Sequence, residues 1–313
     1  MTKSFFEVIR PGINTTFQDL GRKNLNHIGI GPSGVMDRRN YLFANKILSN
    51  DFNSPIIEFA YQGPKLKYNG DKVTCVITGE VNFVINQKDN VTRGVCYNSF
   101  TLDNGDELDI ISTVKSVYGY FSISGFFKVD YQWDSCSTSV KAKIGANNGE
   151  KLKVGQKIEI NQLKNVSNRS LNYINTKIEN IRVMRGTNFD YFSEQGKQIF
   201  YEKEFIVSKL SDRMGMRLEG PKIENIVNTN IKSEGLIKGV IQVPADGNPI
   251  IMLSDHGTVG GYPKIGVVAS VDYDRLVQMA PGSKIKFKEI NLSDAETLFK
   301  LYEMETQNLL SQI

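Results

Sequence analysis

The chain has 313 residues, of which 40% are hydrophobic and 23% are charged, a globular composition whose length predicts two domains of about 150 residues each. The formal net charge is +4, and because the basic residues are dispersed, with no run of five, nucleic acid is not an expected partner. No apolar run approaches the roughly 20 residues of a membrane span, and the start "MTKSFFEVIRPG" lacks the apolar core of a signal peptide, so we expect a cytoplasmic protein with no membrane partner.

The first half of the chain is predicted to be rich in short strands. Ser33 is placed to cap a helix over residues 35–48, whose apolar residues recur at helical spacing. The runs 72–79 and 81–87 flank a Gly-Glu turn and predict a hairpin, and 117–125 reads as another strand. These features favour a mainly β structure with few helices.

A turn glycine followed by an alternating apolar run occurs three times. Glycine adopts turn conformations without steric cost, and alternation with a period of two buries one face of a strand. Three such units favour barrel or sandwich strands over βαβ repeats, although common turns could also coincide by chance. The three stretches are "NGDELDII" (104–111), "VGQKIEIN" (154–161) and "PGSKIKFK" (281–288).

The polar, Asn-rich stretch 161–177 is the predicted boundary between two halves, which we place at 1–170 and 171–313. In the second half, the runs 239–243 and 249–253 surround an Ala-Asp-Gly-Asn turn and predict a hairpin.

Two helices are expected near the end of the chain. Asp272 is placed to begin a short helix. Ser293 and Glu296 have the spacing of a capping box and predict the start of a final helix.

The stretch "DHGTVGGYPKIG" (255–266) is the strongest candidate site. It connects two predicted buried strands, yet it is longer than the two to five residues that a plain strand connection needs. Its glycines (Gly257, Gly260 and Gly261) would let the backbone approach a ligand closely. Its polar side chains would then converge on one pocket, and they are Asp255, His256, Thr258, Tyr262 and Lys264. The alternative is a tolerated surface loop, in which His256 is simply exposed.

Two further clusters of arginine and acidic residues are candidates for binding a carboxylate or phosphate, since guanidinium groups bind such anions bidentately. Structural pairing between Asp and Arg is the alternative. The first cluster comprises Gln18, Asp19, Arg22, Asp37 and Arg38, and the second comprises Arg213 and Arg217.

Other motifs are weak. "GIGPSG" (29–34) matches the dinucleotide fingerprint, but no buried parallel strand precedes it, so a tight turn leading into a helix is favoured. "GANNGEKL" (145–152) lacks the spacing and the hydroxyl residue of a P-loop, so this chain has no ATP site of that kind. Three cysteines without a C-x-x-C pair indicate a reducing compartment, and Cys136 is expected to be a buried thiol. Two histidines without ligand spacing predict no metal site.

Several stretches together resemble the biotin-dependent carboxyltransferase-like family, which contains the C-type component of bacterial 5-oxoprolinase, the KipI antagonist KipA and allophanate hydrolase subunit 2. The resemblance runs nearly end to end. It rests on "IRPGINTTFQDLGR" (9–22), "GPSGVMDRRNYLFANKILSND" (31–51), "STSVKAKIG" (137–145), "SDRMGMRLEG" (211–220) and "GVIQVPADGNPIIMLSDHGTVGGYPKIG" (239–266).

The resemblance implies a cyclophilin-like β-barrel architecture, here two barrel-like halves with a few peripheral helices. It also implies a subunit that is inactive alone and pairs with a homologous B-type, KipI-like subunit, possibly with an A-type subunit. Such a complex uses ATP to hydrolyse 5-oxo-L-proline to L-glutamate. One alternative is a regulatory KipI antagonist. Another is the carboxyltransferase component of a biotin-dependent, urea-carboxylase-type system.

Under the 5-oxoprolinase hypothesis, the reaction needs cations for phosphate and carboxylate and a group that carries a proton. We predict Arg213 and Lys264 as the cations and Asp255 as the proton carrier, with Asp37 as the second choice. Residues predicted to orient the small-molecule substrate are Gln18, Arg22, Ser33, Thr258, Gly260, Gly261 and Tyr262.

The chain departs from the family pattern in two of these stretches. The segment "YGYFSISGFFK" (118–128) has Tyr118 where the family has arginine, Phe126 where it has glycine and Lys128 where it has aspartate. Gly257 replaces a glutamine. These changes remove a guanidinium and an amide that relatives have available for substrate contact.

Overall fold

The computed structural model describes residues 4–88, 90–161, 164, 166–174, 178–227 and 230–313. The chain forms two compact units. The first comprises Met1–Arg22, Ser33–Ile174 and Thr306–Ile313, and the second comprises Lys23–Pro32 and Asn175–Glu305. The sequence-based boundary at residue 170 stays a prediction.

The first unit contains two antiparallel sheets with the strand orders β11-β12-β1-β4-β9-β6-β7 and β2-β3-β10-β5-β8. In chain order, the strands are β1 (Phe5–Arg10), β2 (Thr16–Gln18), β3 (Ile56–Ala60), β4 (Lys65–Asn69), β5 (Val73–Thr78), β6 (Val81–Gln87), β7 (Asn90–Arg93), β8 (Phe100–Leu102), β9 (Glu107–Thr113), β10 (Tyr118–Ile123), β11 (Phe126–Phe127) and β12 (Lys157–Asn161).

One hydrophobic core lies between these two sheets. Phe6 and Leu108 come from the seven-stranded sheet and Phe59 and Phe121 from the five-stranded sheet, and all four are fully buried in one cluster. The rings of Phe6 and Phe121 meet edge to face at 5.6 Å between centroids, a favoured geometry for aromatic pairs. The two sheets therefore form a sandwich around shared aromatic packing.

The second unit is built on an eight-stranded sheet with the order β21-β14-β15-β18-β17-β20-β13-β22 and a two-stranded ladder of β16 and β19. Its strands are β13 (Ile181–Arg185), β14 (Phe205–Val207), β15 (Gly215–Glu219), β16 (Glu234–Gly235), β17 (Val240–Gln242), β18 (Ile250–Met252), β19 (Val259–Gly260), β20 (Lys264–Val268), β21 (Lys284–Ile285) and β22 (Phe287–Glu289).

The eight-stranded sheet curves into a nearly closed barrel. Its two outermost strands, β21 and β22, lie at opposite edges of the sheet, yet only Lys286 separates them in the chain. The two edges must therefore come together at this point. Ile285 and Phe287, one from each strand, are both buried. The predicted mainly β, barrel-like fold is confirmed.

The three turn glycines stand where the sequence pattern predicts them. Gly105, Gly155 and Gly282 have φ angles of 94°, 76° and 88°, which glycine adopts without the strain that other residues incur. Each precedes a strand whose alternate apolar residues are buried, such as Ile158 and Ile160 in β12. Here the local sequence pattern suffices to predict the structure.

The five helices pack at the periphery of the sheets. They are α1 (Arg38–Ile47), α2 (Ala146–Gly149), α3 (Glu194–Glu202), α4 (Ser270–Leu276) and α5 (Leu292–Ser311). Among the described residues, no helix combines the length and the apolarity that a membrane span requires.

The predicted helix caps are wrong in their residues. Asp37, not Ser33, caps α1, because its carboxylate accepts the Asn40 amide at 3.0 Å, whereas Ser33 has a left-handed φ of 55°. At α5, Asn291 accepts the Asp294 amide at 2.8 Å, in place of the predicted Ser293 capping box. Several capping residues are available near each helix start, and the path of the entering chain selects one of them.

One predicted hairpin is confirmed and one is wrong. β17 and β18 pair antiparallel, with Ile241 opposite Ile251. β5 and β6 belong instead to different sheets of the first unit. Gly79, with φ of 100°, turns the chain from one layer of the sandwich to the other, because both runs gain more burial by facing a shared core.

Candidate functional site

The stretch between β18 and β20 is an ordered loop held by a neighbouring segment. Its centre forms β19, in which Gly260 pairs with Glu234 and Val259 pairs with Gly235. The ladder extends in both directions, since the carbonyls of Thr258 and Gly261 each accept an amide hydrogen bond of 2.9 Å from residues 236 and 231. The loop therefore has a defined backbone on which polar side chains can be positioned.

At the start of the loop, Arg213 and Asp255 form a buried ion pair. The guanidinium donates from Nε at 2.9 Å and from Nη2 at 3.0 Å to the two carboxylate oxygens. Only 12% and 9% of the two side chains are exposed. The Asp255 amide also donates to the Arg213 carbonyl at 2.8 Å. This bidentate geometry fixes Asp255 as a partner of Arg213, so the pair anchors the loop.

His256, the next residue, is buried, with 3% of its surface exposed, and its sequence-based interpretation as an exposed loop histidine was wrong. Its Nδ1 lies 2.7 Å from the Gly257 carbonyl oxygen. Because a carbonyl can only accept, Nδ1 carries the proton, and Nε2 is left with the lone pair. Burial lowers the pKa of His256 below 6.5, and the nearby Lys238 ammonium lowers it further. A neutral imidazole of this kind can accept a proton at Nε2.

Tertiary burial of His256 gives no signal in the local sequence. One hint lies far away in the chain, in the "GIGPSG" stretch. A Cβ atom on Gly31 would lie 2.8 Å from the His256 carbonyl oxygen. The glycine is needed there because two backbone segments of the second unit touch, and this accounts for it without a nucleotide.

At the end of the loop, Lys264 forms the second ion pair of the site. Its ammonium lies 2.6 Å from a Glu234 carboxylate oxygen, and 4% of the lysine side chain is exposed, against 42% of the glutamate. The hydrogen bond from Lys264 lowers the pKa of Glu234. Asn188 accepts the Lys264 amide at 3.0 Å. Glu234 is thus the exposed outer member of the pair, and the cation lies beneath it.

Gly260 is required for packing inside the site. A Cβ atom there would lie 2.6 Å from Nε2 of Gln242, and this same Nε2 donates to the Tyr262 carbonyl at 3.1 Å. Gln242 and the buried Ile241 are neighbours in β17, so their side chains point to opposite faces of the barrel sheet. The loop therefore packs on the outer face of β17, and the Tyr262 side chain stays 39% exposed.

In the first unit, the structure places Gln18 and Asp19 in a buried polar cluster. The Asp19 carboxylate accepts hydroxyl hydrogen bonds of 2.6 Å from both Ser135 and Ser137, together with the amides of Cys136 and Gly21. Gln18 donates to the Thr138 carbonyl at 2.9 Å. A carboxylate surrounded by four donors is fully solvated by the protein, so Asp19 has a structural role.

Arg22 and Asp37 are also engaged within the first unit. Arg22 donates from Nη2 to the Ser137 carbonyl at 2.7 Å. Asp37 caps α1 with both carboxylate oxygens on Asn40 and donates its own amide to the Tyr120 hydroxyl at 2.8 Å. These contacts favour the structural alternative left open for the first arginine-rich cluster.

Two other sequence features have structural explanations. Burial raises the pKa of the Cys136 thiol well above its usual range, and the adjacent Asp19 carboxylate raises it further, so the thiol is a poor nucleophile. Lys128, one of the departures from the family pattern, pairs with Glu159 at the surface at 2.9 Å. Within the described residues, no group of three His, Cys, Asp or Glu side chains is placed to hold a metal ion.

A two-unit β fold with ion pairs at both ends of one glycine-rich loop defines a carboxyltransferase-type module. The chain belongs to the carboxyltransferase domain family, whose model of subdomains A and B matches residues 28–289.

Its relatives include bacterial proteins of similar length. Two of them, from Haemophilus influenzae and Escherichia coli, carry the name of the C-type component of 5-oxoprolinase, and each is 29% identical over 290 residues, which is 92% of this chain and 92% of each relative. The crystal structure of the K. lactis urea amidolyase has a TM-score of 0.88 at 27% identity; the match covers 99% of this chain but 20% of that one.

Proposed function

We propose that this chain is the C-type component of a cytoplasmic, ATP-dependent 5-oxoprolinase that hydrolyses 5-oxo-L-proline to L-glutamate. The observation that carries the proposal is the 92% coverage of both this chain and its two 5-oxoprolinase relatives. The match to the urea amidolyase of Lachancea kluyveri covers 17% of that protein. In this proposal, a homologous B-type subunit and an A-type subunit complete the enzyme, and ATP binds at the level of the complex.

The proposed chemistry overcomes the low reactivity of a lactam carbonyl. Transfer of the ATP γ-phosphoryl group to the lactam oxygen releases ADP and makes the ring carbon electrophilic. Water then adds to that carbon as it loses a proton. Departure of phosphate and cleavage of the ring C–N bond, with protonation of the nitrogen, give L-glutamate. The protein must supply a proton acceptor and cations for the developing negative charge.

His256 is the proposed proton acceptor, because its imidazole is neutral and Nδ1 is already engaged with the Gly257 carbonyl. The Asp255 carboxylate, which the sequence favoured for this role, has both oxygens bound to Arg213. We therefore assign the Arg213–Asp255 pair to positioning: it fixes the residue that precedes His256. Thr258 and Tyr262 remain proposed substrate-orienting residues of the same loop.

Lys264 is the proposed cation for the substrate carboxylate or the phosphoryl group. Its ammonium is almost fully buried and bound to Glu234, so an anionic substrate must displace or share that carboxylate. Glu234 would thereby discriminate against weakly charged ligands, since only an anion competes for the lysine.

The test is 5-oxoproline-dependent ATP hydrolysis by the reconstituted three-subunit mixture. We expect turnover with this chain present and none above background without it. His256→Asn should lower kcat at least about 100-fold, and Lys264→Met should raise KM. The control is His27→Asn, which changes the other, exposed histidine and should leave turnover unchanged. Equal rates with and without the chain would refute the assignment.

Biotin-dependent carboxyl transfer is the second candidate, and the family model and the likeness to the urea amidolyase structure favour it. It predicts that a biotinylated carrier protein binds this chain and that carboxyl-biotin is consumed. A regulatory KipI-type antagonist would keep its partner affinity in the Asp255→Ala, Lys264→Ala double variant and would need no turnover at all.

A further inference from the structure

A groove of about 290 Å³ lies on the outer face of the second-unit barrel, beside the site loop. Its floor is formed by Arg217 of β15 and by Ile250 of β18, which are directly opposite each other in the sheet. Met216 and Leu218, which alternate with Arg217, are buried on the inner face. Tyr262, from the end of the site loop, also lines the groove.

The charged groups of the groove are not paired with one another. The Arg217 guanidinium makes no hydrogen bond or ion pair within the part of the chain that the structure describes. Glu219 accepts the Ser208 hydroxyl, and Asp246 accepts the Asn248 side-chain amide at 2.8 Å. Both carboxylates are thus held in place by neutral donors, and over the described ranges neither forms an ion pair.

We propose that this groove binds a zwitterionic α-amino acid, with its carboxylate on Arg217 and its ammonium facing Asp246 and Glu219. A guanidinium binds a carboxylate with two parallel hydrogen bonds. A ligand with only a carboxylate would face two like charges, and one with only an ammonium would leave Arg217 without an anion. The apolar walls, formed by Pro244, Pro249 and the Tyr262 ring, fit the carbon skeleton of a small ligand.

Occupancy of the groove has a direct route to the site loop. The Tyr262 side chain lines the groove, while its carbonyl accepts from Gln242 two residues before Lys264. A ligand packed on the tyrosine ring therefore bears on the segment that positions the lysine. This consequence rests on the proposed function: L-glutamate, the product of that reaction, is an α-amino acid and would act back on the loop.

The experiment is a calorimetric titration of the isolated chain with four probes: glycine, L-glutamate, glycinamide and 5-oxo-L-proline. The last two lack, respectively, the carboxylate and the ammonium. We expect glycine and L-glutamate to bind at least about 10-fold more tightly than glycinamide and 5-oxo-L-proline. Arg217→Gln should weaken that binding by a similar factor, and Asp246→Asn should weaken it too. Lys300→Gln, which removes one exposed charge from α5, should leave it unchanged.

A second readout locates the binding. The Arg217 Nε–H resonance should shift on saturation with glycine, and this shift should be absent with glycinamide. Unchanged affinity in Arg217→Gln, or equal affinity for L-glutamate and 5-oxo-L-proline in this groove, would overturn the proposal. The titration needs no partner and no turnover, so its outcome is independent of whether the complex hydrolyses 5-oxoproline.

Discussion

Removing one member of the buried Arg213–Asp255 pair should destabilise the second unit strongly. Asp255→Ala leaves a guanidinium that is 12% exposed without its carboxylate, and breaking a buried pair in this way costs about 3 to 5 kcal/mol. We expect about 3 kcal/mol because the guanidinium keeps some contact with water. The backbone hydrogen bond between the two residues does not depend on either side chain and should hold the start of the loop in place.

The double variant Arg213→Met, Asp255→Ala separates the charge effect from lost packing. It should cost only about 1 kcal/mol, because no uncompensated charge is left and methionine fills similar space. The coupling energy of the double-mutant cycle is then at least about 1.5 kcal/mol. Equilibrium urea denaturation followed by circular dichroism measures all four proteins. Costs that simply add, with the double variant worse than Asp255→Ala, would refute the inference of a buried ion pair.

Three other changes test the loop and the first-unit cluster. Gly260→Ala should cost about 1 to 3 kcal/mol because its Cβ meets the Gln242 amide at 2.6 Å, whereas Gly257→Ala, whose nearest contact is 3.5 Å away, should change stability by less than about 0.5 kcal/mol; equal effects would contradict the packing argument. Burial lowers the pKa of His256 below 6.5, so the unfolded chain binds more protons. The histidine's contribution to stability is therefore complete above about pH 6.5 and is lost as pH falls towards the folded pKa, by at most about 1.4 kcal/mol per pH unit. Denaturation curves from about pH 5 to 7.5 should show a flatter pH dependence for His256→Asn, and an unchanged slope would count against a buried neutral imidazole. Asp19→Ala leaves four buried donors without their acceptor and should lower the free energy of unfolding by more than about 3 kcal/mol; Asp51→Ala, at an exposed position, is the control and should have little effect.

The amino-acid sequence alone determined the mainly β fold, and it did so through local rules. A turn glycine followed by alternating apolar residues fixes both the bend and the buried face, as at Gly155 and β12. The confirmed β17–β18 hairpin has its turn between adjacent strands. Such patterns need no information from distant residues, because backbone conformation and period-two burial are set within a few positions of the chain.

Tertiary structure decided which polar groups meet. Residues 213 and 255 are 42 positions apart, and Lys264 meets Glu234 across 30 positions, so no local pattern could pair them. The same applies to His256, whose burial depends on segments that the chain brings in from elsewhere, including Gly31. A pKa, an ion pair or a shielded lone pair is a property of the whole surroundings of a side chain. The sequence could locate the loop, but only the packed second unit assigns its charges to partners and leaves the histidine neutral.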